Sequence, residues 1–90
     1  MKKNYLFVYA DSLGDREAVK KIIDSIPQID NWLYDIPNSF YLKSESSADH
    51  LVDLIKEKVK AEHLVYFITE IHSNRQGYLT KDVWDFLNQK

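Results

Sequence analysis

The sequence predicts an α+β domain: one antiparallel sheet of four strands, two helices on one of its faces, and a short strand-and-helix tail. Three observations predict it. Apolar runs of strand length and helical apolar stripes succeed one another in the order β-α-β-β-α-β. Polar or proline-containing breaks separate the runs. The first and fourth strand segments are apolar at successive positions, the pattern of strands covered on both faces.

Composition sets the frame. Ninety residues make one domain, with a core over residues 4–71 and a tail over 72–90. A hydrophobic content of 44% is enough for a core, though a chain this short is marginally stable alone. No apolar run approaches the roughly 18 residues of a spanning helix, so no membrane partner is expected. Met1-Lys2-Lys3 precedes an apolar run, but that run stops at Asp11 without a small-residue cleavage site, unlike a signal peptide. With no cysteine there is no disulfide framework or thiolate zinc site, and a cytoplasmic setting fits. The net charge of −2 lacks the basic footprint of most nucleic-acid binders.

The elements follow in order. Asn4 to Asp11 is the first strand, with Tyr5, Phe7 and Tyr9 on one side and Leu6, Val8 and Ala10 on the other. Ser12 and Asp15, three apart, suggest a capping start. Ala18, Val19, Ile22, Ile23 and Ile26 form one helical face, and Pro27 ends it. Residues 31–36 read as a second strand, with Trp32, Tyr34 and Ile36 opposite Leu33. Pro37-Asn38 turns the chain into a third strand over residues 39–43. Ser46 or Ser47 caps a second helix with Asp49 in its first turn; Leu51, Leu54, Ile55 and Val59 mark its buried stripe. Residues 63–71 are the fourth strand. After a polar loop, Gly77-Tyr78-Leu79 reads as a short extended piece, and Thr80 caps a last helix carrying Val83, Trp84 and Leu87.

This order is the ferredoxin-like pattern, a doubled split β-α-β. Right-handed crossovers place the first and third strands centrally, in the order 4-1-3-2, with both helices on one face. Asp11, leaving the first strand, is then expected beside Asn38 and Ser39 on one side and Glu62 and His63 on the other.

Three stretches carry a family likeness: Leu6-Phe7-Val8-Tyr9-Ala10-Asp11, Asn38-Ser39-Phe40-Tyr41-Leu42-Lys43, and Ser46-Ser47-Ala48-Asp49-His50-Leu51. Over residues 4–71 the chain resembles the small CRISPR-associated adaptation protein, second in the Cas series, and its VapD-like and SinR-like relatives. The third stretch is most similar to the SinR-like branch. The resemblance implies a homodimer of ferredoxin-like domains. In nuclease members, first-strand aspartates of two subunits bind a divalent metal near the two-fold axis, and Asp11 is the matching position. The family usually has Tyr directly followed by Asp; here Ala10 intervenes, and one residue along a strand reverses the side a side chain faces.

The candidate residues each read two ways. Asp11 is a ligand for Mg2+ or Mn2+ in phosphodiester hydrolysis, or a turn and cap residue. His63 is an acid or base near Asp11, or a strand-end residue. His50 and His72 are too far apart in sequence for zinc spacing. Ser39 lacks a nucleophile motif. Arg75, Lys2, Lys3 and the second-helix lysines Lys56, Lys58 and Lys60 are interleaved with acids, which favours a solvated surface over a phosphate site. Tyr5, Phe7, Tyr9 and Phe67 match a base-stacking platform in residue type, but lack the accompanying arginine and glycine. The sequence therefore favours a dimeric binding or assembly module. A metal-dependent endoribonuclease or endonuclease and a toxin-like or regulatory RNA binder are the alternatives, with RNA or DNA as the candidate further partner.

Overall fold

The computed structural model describes residues 1–59 and 64–89. Its elements are β1 (Lys3–Tyr9), a single 3-10 turn (Asp11–Leu13), α1 (Arg16–Asp24), β2 (Ile29–Leu33), β3 (Ser39–Ser44), α2 (Ala48–Lys58), β4 (Tyr66–Glu70) and α3 (Lys81–Asn88). The four strands form one antiparallel sheet in the order β2-β3-β1-β4. Counted from the β4 edge, that order is 4-1-3-2. Glu62 and His63, expected beside Asp11, lie outside the described residues.

Local chemistry accounts for the helix starts. Asp15, rather than Ser12, caps α1 by accepting the Ala18 N–H at 2.9 Å. Ser47 caps α2 and Thr80 caps α3 in the same way. Gly14 between the 3-10 turn and α1 has φ 127°, and an added Cβ there would stand 3.0 Å from Ala18 Cβ, so the sharp entry into α1 needs glycine.

Strand alternation divides the sheet into two faces. On the first, Tyr5, Phe7, Tyr9, Phe40, Leu42 and Ile68 are buried against α1 and α2, through Val19, Ile23, Leu51 and Ile55. Phe7 has no exposure and touches the rings of Tyr9, Phe40 and Tyr66. The second face carries Leu6, Tyr41 and Leu33, and α3 packs on it through Val83, Phe86 and Leu87. The tail therefore docks on its own chain.

Several expectations change. β1 is sealed on only one face, because α3 does not reach Val8, which stays 40% exposed. β2 begins and ends earlier than residues 31–36: its pairing stops at Leu33 opposite Tyr41, and Tyr34 and Ile36 lie beyond it, exposed. β4 is shorter than residues 63–71, although Val65 and Ile71 still bond Ala10 and Asn4 at its ends. Gly77-Tyr78-Leu79 forms no strand; Tyr78 projects into solvent while Leu79 joins the α3 cluster. Phe86, absent from the expected apolar stripe of the last helix, is buried.

Candidate functional site

The first candidate is the end of the sheet where β1 stops. Asp11 opens the 3-10 turn there, exposed, and one carboxylate oxygen accepts from Asn38 Nδ2 at 2.8 Å. The same amide donates to the Tyr9 carbonyl at 3.1 Å. Asn38 sits at φ 58°, a left-handed turn position that asparagine tolerates. Asp11 thus braces the β2–β3 turn against the end of β1, bringing together the expected pair Asp11 and Asn38. Ser39 is nearby in sequence but its hydroxyl is buried and donates to the Ile36 carbonyl at 2.8 Å.

Arg16 completes this end. Its guanidinium lies 3.8 Å from the centre of the Tyr34 ring and donates to the carbonyls of Ile36 and Ser39. The cation ties the exposed segment between β2 and β3 to the start of α1. Among the described residues no group of three or more His, Cys, Asp or Glu side chains is placed to hold a metal. One chain offers the Asp11 carboxylate with an oxygen already engaged, which does not make a Mg2+ or Mn2+ site by itself. His50 and His72 are exposed, and His72 lies 3.7 Å from Glu70. The aromatics proposed for stacking separate: Tyr5, Phe7 and Tyr9 are buried in the first-face core, and Phe67 alone is open.

The second candidate lies beside the first, on the second face. Val8 is 40% exposed, Val65 58% and Phe67 63%. With Tyr9, Ala10 and Tyr66 they line a shallow apolar depression of about 340 Å³. Val8 and Phe67 are directly opposite across the β1–β4 ladder. The corner adjoins the outer edge of β4, whose only strand neighbour among the described residues is β1. Bonds from Ala10 N to Val65 O and from Ile71 N to Asn4 O fix which residues face β1. The alternation of the ladder then turns the N–H and C=O groups of Tyr66, Ile68 and Glu70 outward.

A third polar cluster is structural. Lys43 is only 7% exposed, yet its ammonium donates to Asn4 Oδ1 at 2.8 Å and the Phe86 carbonyl at 2.7 Å. Asn4 Nδ2 donates to the Leu87 carbonyl at 2.7 Å. Both act on carbonyls at the C-terminal end of α3, where a positive charge is favourable. Burial lowers the Lys43 pKa, and the charges of Lys2 and Arg75 add to the effect. At the other end of α3, Asp35 accepts from the Thr80 N–H and from the Tyr41 hydroxyl. Burial, then the Asp35 bond and charge, raise the Tyr41 pKa.

Sequence reasoning gave no role to Lys43 or Arg16. A lysine following Phe40-Tyr41-Leu42 in a strand was the available signal, since alternation sets it on the Tyr41 face. Comparison of the chain with protein-family models, curated proteins and solved structures returned no match.

Proposed function

We propose that this chain is a ferredoxin-like assembly module that works by associating with a second copy of itself, as the resemblance to the CRISPR-adaptation and SinR-like proteins also implies. One observation carries the reading. α3 covers part of the second face and leaves Val8, Val65 and Phe67 open, where apolar side chains meet a strand edge with no partner among the described residues. Soluble monomers rarely keep such a surface without use, and a bare apolar edge invites pairing with another chain.

Light scattering at high micromolar concentration is expected to give about twice the 10.7 kDa chain mass. Phe67→Glu shifts it to monomer while leaving the folded monomer's stability within about 0.5 kcal/mol, because the side chain is mostly in solvent. A wild-type protein that stays monomeric at millimolar concentration sinks the reading. So does cleavage of RNA or DNA with magnesium or manganese that Asp11→Asn abolishes, since the module as proposed has no catalytic step.

A further inference from the structure

The two edges of the sheet differ in how they are protected. β2, one edge, has a register irregularity between Ile29 and Asn31 and carries Asp30 and Asn31. Bulges and polar residues of this kind discourage edge-to-edge pairing. β4, the other edge, runs Tyr66-Phe67-Ile68-Thr69 without charge, proline or bulge until Glu70, and Val65 before it is apolar too.

We propose that two copies join by antiparallel pairing of β4 with β4 about a two-fold axis through Phe67, making one continuous eight-stranded sheet. This geometry rests on the self-association proposed above and specifies its surface. In this register the outward N–H and C=O groups of Tyr66 meet those of the partner's Ile68, and the reverse. Phe67 stands directly opposite its own copy at a non-hydrogen-bonded pair, where cross-strand side chains come closest. Val8 neighbours Phe67 on each side, so an apolar row Val8–Phe67–Phe67–Val8 crosses the joint on the open face. Glu70 does not oppose Glu70, as it would in a register centred there.

Charge on the opposite face agrees. The two-fold axis is perpendicular to the sheet, so the two α2 helices lie side by side and antiparallel. Tyr66 of β4 donates to the Val52 carbonyl, which puts the Val52 flank of α2 toward this edge. Asp49, Asp53 and Lys56 share that flank by helical spacing and are exposed. Asp49 and Asp53 in the first half of one α2 therefore face Lys56 in the last turn of the other. The row is smaller than the roughly 800 Å² a side of a stable interface, so the dimer is weak and concentration-dependent. It also sends the two Asp11 carboxylates to opposite ends of the joined sheet, where they share no metal.

Amide hydrogen exchange on the wild-type chain tests this directly. Edge pairing protects the Tyr66 and Ile68 amides increasingly as concentration rises. Packing of the two open faces would leave those amides unprotected. Sedimentation supplies the second arm. Lys56→Glu is expected to weaken the dimer about tenfold through two symmetric contacts, and Asp53→Lys combined with Lys56→Glu to restore it. A dimer with unprotected Tyr66 and Ile68 amides, or one indifferent to the charge reversals, overturns the edge geometry and leaves self-association standing. A wild-type monomer at every concentration overturns both.

Discussion

The two faces of this sheet are closed by different physics. The first is sealed by hydrocarbon: Tyr5, Phe7, Tyr9, Phe40 and Leu42 pack against the stripes of α1 and α2. The second is closed by one helix of eight residues, too short to hold by itself in water. Its apolar side chains supply part of the attachment, and polar groups pin both ends: Asp35 at Thr80, Lys43 and Asn4 at the last turn. The difference teaches that the second face is a separable layer. Its cover is local, and the cover stops short of one corner.

The largest effect that sharpens this contrast is expected on the first face. Phe7→Ala removes a fully buried ring that touches three others, and should cost about 3–5 kcal/mol of global stability in a denaturant titration. A smaller loss with every amide equally labile would mean that the first face is not the cooperative core.

Lys43→Ala is the matching cut on the second face. It strands Asn4 Oδ1 and the Phe86 carbonyl without their donor, and should cost roughly 1–3 kcal/mol. The loss should be local: amides of α3 exchange faster, while those of α1 and α2 keep their protection. Uniform acceleration across the chain would show that the two faces unfold together.

Alkaline pH is the mildest perturbation and acts on both faces. Burial is the first cause that raises the pKa of Tyr5, Tyr9 and Tyr66 on the first face and Tyr41 on the second. Above pH ~10 the unfolded chain ionises these phenols while the folded chain keeps them protonated. Unfolding then releases protons, so stability is full below that pH and falls as pH rises through the folded values. Lys43 acts in the opposite sense, because its lowered value makes the unfolded chain hold the proton more tightly. Four phenols against one ammonium give a net loss. Denaturant midpoints should fall as pH rises above about 10, and fall less in Tyr41→Phe. A flat profile would contradict the burial of these hydroxyls.

Much of the fold was legible along the chain because it is local. Ser47 and Thr80 cap the helices expected of them, and Trp32 and Leu33 part to opposite faces by alternation. The site was less legible. Asp11 and Asn38 were expected together and meet at 2.8 Å. Phe67, by contrast, lies on the same face as Leu6 and Tyr41, and only the reach of α3 decides that it stays open while they are covered.

Near-neighbour chemistry was enough for the order of the four strands and three helices, the caps of α2 and α3 and the side on which each strand residue lies, since propensity, capping and the two-residue period act over short stretches of chain. Tertiary structure alone decided where the covers end. Lys43 is tolerated in the interior because a helix some forty residues later brings its terminal carbonyls to the ammonium. β4 is left as a bare edge because no later segment among the described residues pairs with it. Both outcomes depend on groups far apart in the chain, and no local pattern records which distant group will arrive.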